Sequence, residues 1–181
     1  MIRPVLGAVA RGLDDLVSAH FDVGELTDKR GWWSEDVEGE ALRYERLARL
    51  SLEPARAILG VPMAGISGAR PLGHNTNGRP SSLHLPPEQR MVAPMRYASR
   101  PVAERGAALD FVPQGLSCVA AFWLLDEAMR AGRLPPGGLF WYGPRQGEKY
   151  NSDPLTGRFI HVDNRGDLAR ERALTPRRRV P

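Results

Sequence analysis

The stretch FIHVD at residues 159–163 decides the fold, because apolar and polar side chains alternate along it. Successive side chains of an extended strand point to opposite faces, so His161 and Asp163 share one face. Ile160 and Val162 share the other face, which suits packing against a core. The pattern predicts a strand over 158–163 that buries one face and presents a histidine and a carboxylate on the other.

The rest of the chain contains short helical and strand patterns separated by loops. In chain order they predict a helix over 5–20, a helix over 38–59, strands over 61–67 and 108–112, a helix over 116–130 and a strand over 138–142. Pro54 predicts a kink or a new helical turn in the second helix, whose Glu and Arg residues fall away from its apolar face. This order predicts an α+β fold with a small antiparallel sheet flanked by helices.

A chain of 181 residues suits a single domain, which we place over residues 1–170. Residues 68–106 are rich in proline and glycine and form a long loop region, which is typical of functional loops. Within it, residues 85–105 are an inserted loop. Residues 171–181 form a basic C-terminal tail with the run RRR at 177–179, which we expect to be frayed and solvated.

The composition argues against several classes of protein. The net charge is +4, but the 25 basic residues are interleaved with 21 acidic ones, so we expect no specific binding of nucleic acid. No apolar stretch approaches the roughly 18 residues of a membrane helix, and we expect no membrane partner. The single cysteine, Cys118, excludes an intramolecular disulfide and a CxxC site. A bound metal would therefore take histidine and carboxylate ligands.

Histidine is scarce, and two of the four histidines lie in places that suggest chemistry. His84 lies in the long loop region, and His161 lies on the predicted strand. Asp110 is an acid at the edge of an apolar stretch, and a buried acid needs a partner, for which a metal ion is well suited. Spacing along the sequence does not by itself bring these three residues together.

Five segments in a fixed order resemble a known family. They are ISGAR at 66–70, GHN at 73–75, SLH at 82–84, GAALD at 106–110 and FIHVDNRG at 159–166. Together they are similar to the D-alanyl-D-alanine carboxypeptidase-type zinc peptidases, which share the Hedgehog-like fold of peptidoglycan peptidases and include many phage endolysins. The resemblance covers roughly residues 20–166 and implies that fold for a single zinc peptidase domain.

The resemblance implies that His84, Asp110 and His161 bind Zn²⁺. Two imidazoles and one carboxylate leave the fourth tetrahedral position to water, which is the open arrangement of a catalytic zinc. The resemblance also implies that Arg70 holds a substrate carboxylate or the developing oxyanion. Ser82 is expected to hydrogen-bond His84 or Asp110. The residues expected to contact the substrate are Arg70, Ser82 and Tyr142.

The chain departs from the family pattern in the spacing of two ligands. In the common form the aspartate follows the histidine by seven residues, whereas His84 and Asp110 are 26 residues apart. The insert at 85–105 accounts for the difference. It is either a semi-rigid flap over the cleft or a sign that another histidine is the ligand.

A second departure concerns the general base. Relatives often carry Glu three residues or His two residues before the last zinc histidine, where this chain has Arg158 and Phe159. Neither of these side chains takes a proton from water. Asp163 is therefore the provisional catalytic acid/base, or else a hydrogen-bonding partner of a ligand imidazole. If it has neither role, Glu148 or another loop acid is the candidate base.

These features predict a zinc metallopeptidase, acting as a monomer on peptide bonds in the stem peptides or cross-links of peptidoglycan, as a carboxypeptidase or an endopeptidase. The alternative is a non-catalytic structural module of a phage or cell-wall assembly that retains the peptidase fold. The apolar run near the N-terminus is short and is followed at once by charged residues, so we expect no signal peptide. We therefore expect synthesis in the cytoplasm and action at the cell wall, after lysis-linked release or within a phage particle.

Overall fold

The computed structural model describes residues 16–27, 32, 34–70, 83–84, 106–143, 158–164 and 178–179. The helical elements are α1 (Val23–Leu26), α2 (Val37–Leu47), a π-helical turn (Ala48–Leu52), α3 (Glu53–Leu59) and α4 (Cys118–Arg130). The strands are β1 (Met63–Ser67), β2 (Ala108–Pro113), β3 (Gly138–Tyr142), β4 (Phe159–Asp163) and β5 (Arg178–Arg179). This combination confirms the α+β class. The longest described helix, α4, has 13 residues, and none of the described helices could cross a bilayer.

All five strands belong to one sheet in the order β1-β2-β4-β3-β5. The pairs β1-β2, β2-β4 and β4-β3 are antiparallel. Strand β4 lies between β2 and β3. His161 is opposite Asp110 on one side and Phe140 on the other. Residues directly opposite each other in a sheet point to the same face. Strand pairing therefore places an acid and a histidine side by side.

The two faces of the sheet differ in character. One face packs against α4 and the π-helical turn. Its buried apolar side chains are Leu109, Phe111, Leu139, Ile160 and Val162. The opposite face carries Asp110, His161 and Asp163, as the alternation along FIHVD predicts. The apolar face thus packs into the core, and the polar side chains lie on the face away from α4 and the π-helical turn.

The C-terminal segment differs from its sequence-based prediction. The sequence predicts a frayed, solvated tail over 171–181, but Arg178–Arg179 pair in parallel with β3, opposite Leu139 and Phe140. The backbone of these two residues covers the outer edge of β3, and an unpaired strand edge favours such pairing whatever the side chains are.

A π-helical turn joins α2 to α3 without an intervening loop. Pro54 lies in the first turn of α3, directly after the π-helical turn. Of the two outcomes expected for Pro54, the structure has the new helical turn. In the wide turn before it, the Glu53 N–H donates to the Ala48 carbonyl. Helix α3 ends at Gly60, whose φ of 66° lies in the left-handed region that favours glycine.

The prediction of a helix over 5–20 is wrong for its described part, which begins at Leu16. The Ser18 amide donates to the Phe21 carbonyl, and the Ser18 hydroxyl donates to the Glu53 carboxylate at 2.6 Å. These bonds fold the segment back on itself and attach it to α3. Tertiary partners thus replace the bonds that a helix would have supplied. Residues 1–15 lie outside the described part of the chain.

Two charged side chains of α2 lie in the interior. Glu40 and Arg43 have side chains that are 0% exposed, and they form an ion pair at 2.5 Å. The sequence pattern places the Glu and Arg residues of this helix away from its apolar face, yet these two are buried. Burial is tolerated because each charge has the other as a partner.

Candidate metal centre

Three buried side chains converge on the polar face of the sheet: His84, Asp110 and His161. Nδ1 of His161 is 2.8 Å from Oδ1 of Asp110 and 3.2 Å from Nε2 of His84. Nε2 of His84 is 3.3 Å from the same Asp110 oxygen. All three atoms lie within 4.8 Å of one another, so they could hold a metal ion together. The structure thus brings together the three residues expected to be ligands.

Two of the ligands come from regular structure and one does not. Asp110 on β2 and His161 on β4 are direct neighbours across the sheet. His84 lies in a short described segment, residues 83–84, which is neither helix nor strand. The Arg70 amide, just after β1, donates to the His84 carbonyl at 3.1 Å. Specific hydrogen bonds therefore hold the third ligand, where the sheet holds the other two.

The tautomer of His84 follows from its outer contact. Nδ1 of His84 lies 2.8 Å from the carbonyl oxygen of Gly68. A carbonyl oxygen only accepts, so Nδ1 carries the hydrogen and donates it. The neutral ring then presents the lone pair of Nε2 to Asp110 and His161. This is the form in which a histidine binds a metal.

Gly68 occupies a position that has no room for a side chain. A Cβ built there would lie 1.9 Å from the carbonyl oxygen of Leu26 at the end of α1. The same Leu26 carbonyl accepts a 2.6 Å hydrogen bond from the Ala69 amide. The contact with α1 sets where the Gly68 backbone runs, and the Gly68 carbonyl orients His84. The glycine in ISGAR thus has a geometric reason that the sequence alone did not supply.

Asp163 contacts the side of the His161 ring that faces away from Asp110. Oδ2 of Asp163 is 3.2 Å from Nε2 of His161, and Oδ1 accepts from the Gly138 amide at 2.8 Å. The Asp163 residue is 1% exposed. Of the two roles expected for Asp163, these contacts favour the partner of a ligand imidazole over the acid/base. The sequence placed the carboxylate on the right face but could not say which ring nitrogen it meets.

Arg70 contacts the second oxygen of the Asp110 carboxylate. Its Nη2 donates to Oδ2 of Asp110 at 3.0 Å, while Oδ1 faces the two histidines. The Arg70 side chain is 23% exposed, and its Nε is buried without a hydrogen-bond partner among the described residues. Arg70 therefore lies at the rim of the cluster, with Nη2 bound to a ligand and the side chain partly exposed.

The electrostatics of the cluster follow from burial and from these pairs. Burial raises the pKa of Asp110, but the attraction of His84 and His161 outweighs it and holds that pKa well below its usual range. Burial lowers the pKa of His84, against the attraction of Asp110. Burial also acts to lower the pKa of His161, but its hydrogen bonds to Asp110 and Asp163 raise it to about 9. Without a metal, a protonated His161 thus balances the charge of Asp110.

The donor set fits a divalent transition metal. Two imidazole nitrogens and one carboxylate oxygen suit Zn²⁺ and other divalent first-row transition metals. Three protein ligands leave a coordination position open. Each ligand also has an outer partner: Gly68 for His84, Arg70 for Asp110 and Asp163 for His161. Such partners orient metal ligands, and an acceptor such as the Gly68 carbonyl or Asp163 also raises the basicity of the imidazole that donates to it.

Asn164 ties the end of β4 to the start of β2. Its Oδ1 accepts from the Ala107 amide at 2.7 Å, and its own amide donates to the Ala107 carbonyl at 3.2 Å. Asn164 is 4% exposed. The residue was not singled out from the sequence, and its place directly after FIHVD is the only signal that could have identified it.

An aromatic strip continues from the cluster along β3 and β4. The Phe140 ring meets His161 edge-on, with centroids 5.3 Å apart, and Tyr142 stacks on Phe159 at 4.6 Å. The pairing register places Tyr142 two residues beyond Phe140, on the same face. Tyr142 is therefore near the cluster, where the sequence expected a substrate contact. Ser82, the insert at 85–105 and Glu148 lie outside the described residues.

Comparison with known proteins returns no family model, no curated protein and no solved structure that matches this chain. The interpretation of the site therefore depends on the cluster of His84, Asp110 and His161 and on the residues around it.

Proposed function

We propose that this chain is a zinc-dependent peptidase that hydrolyses peptide bonds of peptidoglycan stem peptides or cross-links. The observation that carries the proposal is the buried cluster of His84, Asp110 and His161, in which each ligand atom faces the others and each residue has an outer partner. One carboxylate and two neutral imidazoles leave a bound Zn²⁺ with residual positive charge. A bound Zn²⁺ would activate water at neutral pH and polarise a peptide carbonyl.

Asp163 acts in this proposal as a positioning residue. Both of its oxygens are engaged, one by His161 and one by the Gly138 amide, so it has little capacity left to take a proton from water. Its charge holds the His161 ring with the hydrogen on Nε2 and the ligand atom Nδ1 towards Asp110. This arrangement of carboxylate and histidine is typical of zinc sites.

Arg70 is the proposed cationic residue that stabilises negative charge on the substrate. Its Nη2 bond to Asp110 fixes the guanidinium beside the cluster, and the side chain remains 23% exposed. A guanidinium in this place can donate hydrogen bonds to a substrate carboxylate, or stabilise the negative charge that develops on the carbonyl oxygen during hydrolysis. Tyr142 and the rest of the aromatic strip then provide a wall for the neighbouring part of the peptide. We propose Ser82 as a further contact on the basis of its place in SLH.

A second candidate function is a non-catalytic structural module with the same fold. It is favoured by what occupies the two positions where members of the zinc peptidase family that the sequence resembles often carry a base. Arg158 donates from its Nε to the Gly143 carbonyl, and Phe159 stacks on Tyr142. Neither side chain can serve as a proton acceptor. A module of this kind would keep the metal for stability and would not turn over substrate.

The proposal extends to where the protein acts. We propose a monomer that acts at the cell wall, after lysis-linked release or within a phage particle, without a membrane or a specific nucleic acid as partner. The proposed location follows from the proposed substrate, because peptidoglycan lies outside the cytoplasmic membrane.

Digestion of purified peptidoglycan tests both candidates. The zinc-loaded chain should release fragments whose masses identify the cleaved bond, and His161→Ala should release none. His20→Ala is the matched control, because His20 contacts Glu53 on the surface and lies outside the cluster. Zinc bound at one per chain with no fragments released would favour the structural module. Absence of zinc binding would exclude the peptidase.

A further inference from the structure

The ion pair of Glu40 and Arg43 has no explanation in the stability of α2. Both side chains are 0% exposed, so both charges have lost their hydration. Replacing a buried pair by apolar side chains is often neutral or even stabilising, because attraction between the charges does little more than offset that loss. Because burial of the two charges brings little net stability, we look for a role in positioning other residues. The other contacts of Arg43 indicate which residues these are.

The Arg43 guanidinium binds two backbone carbonyls from distant parts of the chain. Nη1 donates to the Gly106 carbonyl at 2.9 Å and lies 3.4 Å from the Leu83 carbonyl. Nη2 donates to Glu40. Leu83 directly precedes His84, and Gly106 lies four residues before Asp110. One side chain of α2 therefore connects the segments that carry two of the three ligands.

These contacts lie on the two sides of the insert. Residues 85–105 separate His84 from Gly106, and bringing the ends of a segment of that length together costs conformational entropy. His84 has no strand or helix to hold it, in contrast to Asp110. Its segment depends on the Gly68 carbonyl, the Arg70 amide and Arg43.

We propose that Arg43, held in place by Glu40, is a positioning residue that fixes His84 next to Asp110 by binding the backbone on both sides of the insert. This inference rests on the proposed function, because it assigns Arg43 to the metal centre of that peptidase. The planar fork of arginine suits the task, since its hydrogens point to a carboxylate and to two carbonyls at once. A lysine keeps the charge but cannot reach all three partners.

The test compares Arg43→Lys with a matched exposed pair on the same helical segment. Arg49 pairs with Glu45 at 2.9 Å, and the Arg49 side chain is 47% exposed, so Arg49→Lys is the control. Competition with a chelator should show zinc affinity about 10- to 100-fold lower in Arg43→Lys, an effect as large as the loss of a residue that orients a metal ligand. The control should keep the affinity of the unaltered protein.

A second readout needs no metal. The Arg70 amide donates to the His84 carbonyl, so its hydrogen exchange in the metal-free protein reports whether His84 is held. It should exchange at least 10-fold faster in Arg43→Lys, while the amides that join β3 to β4 keep their rates. If Arg43→Lys does not fold, Glu40→Gln combined with Arg43→Met removes both charges and leaves none buried alone.

A remote core variant separates positioning from loss of stability. Leu125→Ala in α4 removes a fully buried side chain on the other face of the sheet, and it should lower stability without changing zinc affinity or Arg70 exchange selectively. The proposal is overturned if the Arg43 variants and Leu125→Ala have the same effects at equal stability. If the unaltered protein binds no zinc, the proposed function fails, and the Arg70 exchange still decides whether Arg43 holds His84.

Discussion

His161 and Asp163 are two residues apart on β4, and Oδ2 of Asp163 is 3.2 Å from Nε2 of His161. The other ring nitrogen, Nδ1, is 2.8 Å from Asp110. One imidazole thus lies between two carboxylates, of which one is a candidate metal ligand and the other a partner that sets the orientation of the ring. In the proposed peptidase, these contacts favour a general base other than Asp163.

Asp163→Asn should therefore lower zinc affinity about 10- to 100-fold, because the amide cannot replace the charge that orients His161. Activity should return in part when zinc is added in excess. Zinc content measured after dialysis, together with turnover at several zinc concentrations, checks this. Full zinc content with turnover reduced about 100-fold would instead identify Asp163 as the general base.

Removal of the metal should lower the thermal stability of the protein. An ion that binds only the folded state adds about 2.7 kcal/mol when its free concentration is 100 times its Kd. For a chain of this size, that corresponds to a loss of about 5–10 °C in Tm on chelation. Scanning calorimetry with and without chelator measures it. His161→Ala should no longer respond to chelator, whereas His20→Ala should respond like the unaltered protein.

Zinc binding should release a proton near neutral pH. In the metal-free protein, burial opposes the charge on His161, but hydrogen bonds to Asp110 and Asp163 raise its pKa to about 9. The ring is then protonated at pH 7, and the metal must displace the hydrogen on Nδ1. Apparent affinity should rise with pH up to about 9. Calorimetry in two buffers of different ionisation enthalpy counts the protons, and a count of zero at pH 7 contradicts the prediction.

The same pKa sets how the metal-free protein responds to pH. The folded pKa of His161, about 9, lies above its ordinary value of 6.5. Its contribution to stability is therefore fully present below pH 6.5 and is lost as the pH rises through about 9. Urea unfolding of the metal-free protein should show a lower free energy of unfolding at pH 9.5 than at pH 6, and His161→Ala should show a smaller difference.

Gly68→Ala should weaken both the fold and the metal centre. The added Cβ would lie 1.9 Å from the Leu26 carbonyl, so the backbone that binds His84 must move. We expect a loss of about 1–3 kcal/mol, as for other overpacked sites, together with weaker zinc binding. Gly60→Ala is the control, because a Cβ there meets nothing within 4 Å and only the positive φ is strained. The control should lose stability but keep its zinc affinity.

Local patterns in the sequence determined most of the sheet and the chemistry of its polar face. Strands β3 and β4 lie where periodicity predicts them, because alternation with a period of two is a property of the strand itself. It also placed His161 and Asp163 on one face. The helix predicted near the N-terminus did not form in its described part. Ser18 instead bonds to Phe21 in a local turn and to the distant Glu53, which no local pattern reveals.

Only the tertiary structure decided how the site is assembled. His84 and His161 are 77 residues apart, and their meeting depends on strand pairing and on bonds to Gly68 and Arg70. The burial of Arg43 could not be predicted either, because the sequence pattern of a helix does not distinguish an arginine that faces water from one that faces a buried carboxylate. The physical reason is that spacing specifies which face a side chain occupies, whereas contacts between distant segments specify what that face meets.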